Sequence, residues 1–463
     1  MTRASLLDKR KLLGLTLGLI WLATASGLAA AGHETEPTAP FGNSTVIQEP
    51  IFQGRAHIYE SGRQHKKTVV LIHGIGDNGA RDWQALIPRL AREYHVLTFD
   101  LPGFGRSDKA NVLYSPANYT AFVKHVVEKY VRGPFYLVGH SMGGAVALRY
   151  AATYPRGVER LVLADVAGIL HRSSYSQYLS HLSVNLLPTY FPGQSEQIAK
   201  LVGLALGKAE RLNLDPELVI GNASMRQKIL QASPAKIAGL ALVLDDFSEL
   251  IPRVEAPTLI IWGKNDPIAP LRTGKLLQAS LPDARLEILE DSAHVPMQDN
   301  TEKFNALVLG HLRSPATAPA RAAHSAAVGT RNGRCQRRQG MSFQGDYDTL
   351  VIRECKNAVL RDVRVRRLVI FDSTVEIETS DIGDGLRIED STLSMTGGRI
   401  AGAVAITALA SRLDLAGVTI TASELAVRAP LESDLVFSVC RVSSPLTQGG
   451  LHAYKIVGPR NPL

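Results

Sequence analysis

Phe135-Tyr136-Leu137-Val138 is a short apolar run of strand-forming residues, Ala145 to Ala152 is apolar at helical spacing, and little more than Gly139-His140-Ser141-Met142-Gly143 separates them. A chain that passes from strand to helix in so few residues must turn sharply, and glycines on both sides of Ser141 leave room for the turn. The serine is then held at the tip with its hydroxyl exposed, and a helix starts beside it. A strand feeding directly into a helix is also half of a parallel β-α-β unit, so the motif constrains a fold class as well as a side chain.

Two further segments place a polar residue just past an apolar run. Thr258 to Gly263 leads into Lys264-Asn265-Asp266-Pro267, and Leu286 to Leu289 leads through Glu290-Asp291-Ser292-Ala293 to His294. Upstream, Thr68 to Ile72 runs into His73-Gly74-Ile75-Gly76. With the order Ser, Asp, His and the loop Asp100-Leu101-Pro102-Gly103-Phe104-Gly105-Arg106-Ser107-Asp108, the chain from about Thr45 to Arg313 resembles the α/β-hydrolase superfamily.

The resemblance implies that Ser141 attacks a carbonyl, that His294 takes its proton and later protonates the leaving group, and that Asp266 orients the imidazole. It also implies an oxyanion hole made by the backbone N–H groups of Ile75 and Met142. Losing one such donor typically costs roughly 3 kcal/mol of transition-state stabilisation. His73 and His140 are expected to pack or cap near the site, because neither is on the loop that should face the nucleophile. Ala293 stands where the superfamily often has glycine. A serine at the turn excludes the branches that attack with a carboxylate, haloalkane dehalogenases and epoxide hydrolases. Esterases, lipases, amidases, thioesterases and carbon–carbon bond hydrolases remain. There is no H-E-x-x-H, and the three cysteines lack paired zinc spacing. Neither a metal nor a cofactor is expected.

At 463 residues the chain has room for two to three domains. Its 45% hydrophobic content is that of a globular protein and excludes a disordered one. Of the net charge of +8, the leader supplies three units through Arg3, Lys9, Arg10 and Lys11 against Asp8. The remainder is a modest excess that reads as a solvated surface, and no nucleic-acid partner is expected. Residues 1–32 read as a signal peptide or N-terminal anchor: basic residues, an uncharged stretch from Leu12 to Ala31, and small residues at Ala29-Ala30-Ala31. The expected location is the periplasm or cell envelope. Uncut, the stretch is long enough to anchor the chain in a membrane.

Within the hydrolase segment (44–313), apolar strand runs alternate with helical patterns, which predicts a mostly parallel sheet with helices on both faces and active residues at the strands' carboxyl ends. The rhythm breaks at about 168–252, which reads as a helical cap. Tyr178, Leu182, Leu186 and Phe191 are its candidate substrate-lining residues, and their greasy character favours a small ester with an apolar acyl or alcohol part. Residues 314–333 shift to Ala, Pro, Ser and Arg without periodicity and read as a linker.

Residues 334–463 repeat one pattern. Ser373, Ser391, Ser411 and Ser433 each open an alternating segment, at intervals of 18, 20 and 22, and nine residues after each falls Ile382, Ile400, Ile420 or Val442. Units that cannot bury an apolar face alone must stack, so the segment is expected to be a short right-handed parallel β-helix of about five or six rungs. Cys335 and Cys355, 20 residues apart, suit either a disulfide in an oxidising compartment or an unbridged stack, and Cys440 is expected as a buried free thiol. Arg361, Arg364, Arg366 and Arg367 give one basic flank. The repeats bury one another, so this domain is expected to fold separately from the hydrolase and to link it to a membrane or envelope.

The expected activity is that of an exported serine esterase working through an acyl-enzyme. A carbon–carbon bond hydrolase of the same fold is the alternative among enzymes, and a non-catalytic envelope scaffold the alternative outside them.

Overall fold

The computed structural model describes residues 41–175, 215–314 and 331–463. The leader, Tyr178, Leu182, Leu186 and Phe191, and most of the expected linker lie outside the described residues. From Phe41 onward the chain forms one compact unit.

The first sheet contains β1 (Asn43–Gln48), β2 (Arg55–Ser61), β3 (Thr68–Ile72), β4 (His95–Phe99), β5 (Phe135–His140), β6 (Val158–Ala164), β7 (Thr258–Gly263) and β8 (Ala284–Leu289), in the order β1-β2-β4-β3-β5-β6-β7-β8. Pairings of β2 with β1 and β4 are antiparallel and all others parallel. Strands β3, β4 and β7 are buried along their whole length. That is why Val69 to Ile72 and Leu259 to Trp262 read as unbroken apolar runs and not as alternations, while the polar His95 and Thr98 of β4 are buried with hydrogen-bond partners.

Helix α1 (Pro116–Tyr130) starts at Ser115, whose hydroxyl accepts from Asn118 N–H, with proline at the first helical position. It packs against α2 (Met142–Thr153), which lies on β5 and β6. The described part of the cap is helical, as expected: α3 (Pro216–Gly221), α4 (Ala223–Leu230) and α5 (Pro234–Val243). Arg226 of α4 ties it to the loop before α1 by hydrogen bonds to Asn111. Helix α6 (Leu271–Ser280) packs on β7 and β8, and α7 (Thr301–Arg313) on β6 and β7.

The second sheet begins at Asn332, two residues before the expected boundary, and is a parallel β-helix. Its strands are β9 (Asn332–Gln336), β10 (Ser342–Arg353), β11 (Ala358–Phe371), β12 (Thr374–Ile382), β13 (Leu386–Glu389), β14 (Thr392–Leu409), β15 (Arg412–Ala416), β16 (Thr419–Arg428), β17 (Ser433–Ser443) and β18 (Gln448–Val457). All pair in parallel except β18, which runs antiparallel along β17 and closes the stack. Inward residues stack in columns. Leu360, Ile377, Met395, Leu415 and Phe437 form one, and Ile382, Ile400, Ile420 and Val442 form the column that the nine-residue offset marks.

The repeating serines do more than punctuate. Each hydroxyl accepts from the backbone N–H one rung earlier: Cys355 to Ser373 at 2.9 Å, Ser373 to Ser391 at 2.9 Å, Ser391 to Ser411 at 3.2 Å and Ser411 to Ser433 at 3.1 Å. The hydroxyls of Ser373, Ser391 and Ser411 donate to the carbonyl two residues before. The residues just ahead of this ladder, Glu354, Asp372, Asp390 and Ala410, all have left-handed backbone with φ of 38–52°. The ladder thus satisfies backbone N–H groups that such a corner would otherwise bury without a partner.

Cys335 and Cys355 form a disulfide near the start of the stack. Cys440 is free and buried, its Sγ–H facing the Leu415 carbonyl, and burial pushes the thiol up to about 12. The basic flank is not an open cationic patch. Arg361, Arg364, Arg366 and Arg367 pair with Glu378, Asp346, Asp348 and Asp384 of adjacent rungs.

The β-helix does not stand apart from the hydrolase. Ala416 and Val439 belong to the hydrolase's own apolar core. Arg272 of α6 bonds to Asp414 at 2.8 Å, to Thr396 Oγ1 at 2.8 Å and to the carbonyls of Met395 and Asp414 at 3.0 Å, and Lys275 pairs with Glu378 at 2.6 Å. On the cap side His171 N–H donates to Ser438 Oγ, Ser174 bonds to Asp414, and the rings of His171 and His452 lie 5.1 Å apart. Gly397 and Gly417, both at positive φ, lie where a Cβ would come within 2.8 Å of Ala279 and Ser280 of α6. The expectation of two independently folding bodies is therefore corrected. Mutual burial of the repeats is real, but it leaves one face that is finished by the hydrolase.

Candidate active site

Strand β5 ends and α2 begins at Ser141, whose backbone (φ 54°, ψ −121°) is one that non-glycine residues rarely adopt. The neighbouring glycine is required by crowding: a Cβ on Gly143 would lie 2.3 Å from the carbonyl oxygens of Ile72 and His73. Ser141 N–H donates to the Ala164 carbonyl of β6, which pins the turn to the sheet.

The three residues that the motifs single out meet here. His294 Nε2 lies 3.0 Å from Ser141 Oγ, and His294 Nδ1 lies 2.8 Å from Asp266 Oδ2. The other Asp266 oxygen accepts from the N–H groups of Ile268 and Ala269 at 2.7 and 2.9 Å. With Nδ1–H donated to the carboxylate, Nε2 is left as an acceptor for the serine proton. All three residues are buried.

The loop after β3 lies against the serine. A Cβ on Gly74 would sit 2.9 Å from Ser141 Cβ, so Ile75, the next residue, follows directly on this contact. His73 fixes the loop: Nε2 accepts from Leu101 N–H at 2.9 Å, and Nδ1–H donates to the Gly74 carbonyl at 2.6 Å. Met142 is the first residue of α2, so its N–H has no intrahelical acceptor and lies at the positive end of the helix dipole.

The family described by the alpha/beta hydrolase fold matches residues 67–301, which span every residue just named. The chain belongs to this α/β hydrolase family. Among its relatives are an uncharacterised protein of Mycobacterium tuberculosis, 30% identical over 52% of this chain and 73% of that one, and Lipase 1 of Psychrobacter immobilis, 29% identical over 54% and 80%. A Pseudomonas putida 2-hydroxy-6-oxononadienedioate/2-hydroxy-6-oxononatrienedioate hydrolase is 28% identical over 58% and 94%. A solved hydrolase from Pseudomonas aeruginosa covers 59% of this chain and 99% of its own, at 24% identity and a TM-score of 0.45.

Within this α/β hydrolase, His73 and His140 take supporting positions, as expected. His140 Nε2–H donates to the His294 carbonyl at 2.7 Å, and burial together with His294 pushes its pKa down to about 3, so it stays neutral. Ala293 is accommodated, its N–H donating to Asp299. Asp100 organises the loop opposite, accepting from Tyr59 Oη–H, Ala80 N–H and Arg106 N–H.

Two acids near the site escaped the sequence reading, Asp82, which is half-buried, and Asp165, which is fully buried. Asp82, bonded to Asn78, has its carboxyl raised by burial despite the influence of His73 and His294. Asp165 lies immediately past β6, beside Asp266. The available signal for Asp165 was positional: it ends a strand of the same sheet, as Ser141 and Asp266 do. Asp165, Asp266 and His294 bring metal-capable atoms within 4.8 Å of one another, but His294 and Asp266 already spend theirs on each other. Among the described residues no helix is long and apolar enough to cross a membrane.

Proposed function

We propose that this α/β hydrolase is an exported serine hydrolase that cleaves a carboxylic ester with an apolar acyl or alcohol part. The observation that carries the reading is the continuous chain from Ser141 Oγ through the two ring nitrogens of His294 to Asp266. Ser141 attacks the ester carbonyl as its proton passes to His294 Nε2, and Asp266 stabilises the resulting imidazolium. The oxyanion is received by the N–H groups of Met142 and Ile75. His294 then protonates the departing alkoxide, leaving an acyl-serine. Water, deprotonated by His294, attacks that acyl group, and the proton returns to Ser141 as the acid leaves. The apolar preference is supported by the character of residues 178–191 and by the likeness to Lipase 1.

The test is a panel of p-nitrophenyl esters of increasing acyl length on the purified chain, with fluorophosphonate labelling of Ser141. Turnover rising with acyl length, and labelling that blocks it, is the expected result. The likeness to the Pseudomonas putida enzyme favours a second reading, carbon–carbon bond hydrolysis. Faster turnover of 2-hydroxy-6-oxononadienedioate than of any ester would establish it. Absence of labelling would point to an envelope scaffold.

A further inference from the structure

A buried acid beside Asp266 and His294 has no part in this reaction. Asp165 follows Ala164 in left-handed backbone (φ 43°) and is sealed from solvent. Its Oδ1 accepts from Gly263 N–H at 2.9 Å, while no protein donor among the described residues reaches Oδ2. Oxygens of Asp165 and Asp266 and a ring nitrogen of His294 all lie within 4.8 Å of one another.

The two carboxyls differ in their surroundings. Asp266 accepts from Ile268 N–H, Ala269 N–H and His294 Nδ1–H, three donors that suit a negative charge. Asp165 accepts from one. Two carboxyls this close and this buried do not both ionise, and the proton stays on the one with fewer donors. Burial first, and the Asp266 charge second, hold the Asp165 carboxyl well above the usual carboxylate range. An oxygen that no donor reaches is also what a protonated acid requires, because Oδ2–H must donate.

We infer that Asp165 is a protonated carboxylic acid that donates from Oδ2 to Asp266, and that it is a positioning residue for the acid of the triad. The inference rests on the serine-hydrolase reading for its effect on turnover, but not for its protonation state. The proton stays on Asp165 throughout: Asp266 remains ionised to meet the imidazolium, held by a fourth donor against rotation away from His294.

The experiment compares the full chain with Asp165→Asn and Asp165→Ala. Asparagine keeps a neutral donor and the acceptor for Gly263, so its kcat should stay close to that of the unaltered chain. Alanine removes the donor and should lower kcat about ten- to a hundredfold with KM little changed, the effect of a misplaced catalytic group. The infrared difference between the unaltered chain and Asp165→Asn at neutral pH should show a protonated carboxyl stretch that the variant lacks. No such band, or an asparagine variant as impaired as the alanine one, would overturn the inference. If the alanine variant does not fold, the band and the asparagine variant still decide. Fluorophosphonate labelling of the unaltered chain reports separately on the serine-hydrolase reading, so failure of one is not mistaken for failure of the other.

Discussion

The hydrolase sheet and the β-helix are both built from parallel strands, but one spends its strand ends on chemistry and the other on turning the chain. In the hydrolase each strand is reached by its own connection, so each carboxyl-end loop is free to carry a different residue, and Ser141, Asp165, Asp266 and His294 converge from four of them. In the β-helix every rung copies the last, like residues stack inward, and the corners are alike. Left-handed backbone, which costs about 1–3 kcal/mol per residue, marks the contrast. Ser141 and Asp165 are single instances at strand ends of the site, whereas Glu354, Asp372, Asp390 and Ala410 recur and are each followed by a ladder residue that satisfies the corner. Reactive groups sit where the fold does not repeat, because a site needs unlike side chains at one point.

The sharpest way to break this comparison is at Ser141. Ser141→Ala or His294→Ala should remove nearly all ester turnover, on the order of 10⁴-fold or more, with the fold intact by circular dichroism. Substantial residual turnover in Ser141→Ala would mean that the site lies elsewhere.

A smaller effect is expected where the two regions meet. Arg272→Ala leaves Asp414, two carbonyls and Thr396 without their shared donor, and should cost about 2–3 kcal/mol, read as a lower thermal midpoint of the whole unit. A loss confined to one of two separate unfolding transitions would restore the picture of independent bodies.

Within the β-helix, Ser391→Ala strands the buried N–H of Ser373 and should cost about 1–2 kcal/mol by urea unfolding. The same change at an exposed serine should cost almost nothing, and equal costs at both would remove the ladder's structural meaning.

The weakest effect is a pH dependence of the joint. Burial, the facing His452 and Arg172 push His171 down to about 4, with Asp414 and Asp246 opposing, and burial lowers His452 as well. An imidazole ordinarily titrates near pH 6.5. A folded pKa below that value means that the neutral ring's contribution is complete above pH 6.5 and is lost as pH falls toward 4. His452→Gln should flatten the decline in unfolding free energy over that window by under about 1 kcal/mol, read by urea unfolding at each pH. A parallel decline in unfolding free energy in both proteins would show that the His pair does not contribute.

How far the sequence discloses each region follows from the range of the contacts involved. The triad was legible because each member closes a local pattern of apolar run and polar loop. The β-helix was legible because its columns are set by spacing. The joint was not, since Arg272 and Asp414 lie 142 residues apart and an arginine on a helix gives no sign of its partner. Asp165 was hidden for the same reason: alone it is an ordinary acid after a strand, and it becomes unusual only beside Asp266. The arginines of the basic flank were legible as outward charges, but their pairing was not, because the acids that neutralise them come from neighbouring rungs, about 18 residues away in sequence.

Strand β18 carries a further consequence. A parallel coil has no intrinsic length, since its last rung offers the same unpaired edge as every rung before it, and such an edge invites another chain to add on. By doubling back along β17 in the opposite sense, β18 offers a terminus that does not match the next coil. The disulfide between Cys335 and Cys355 restrains the other end by a covalent link. Any rung added among those that touch α6 would carry Asp414 or Glu378 out of reach of Arg272 or Lys275, so the hydrolase acts as a gauge against which the coil's length is set.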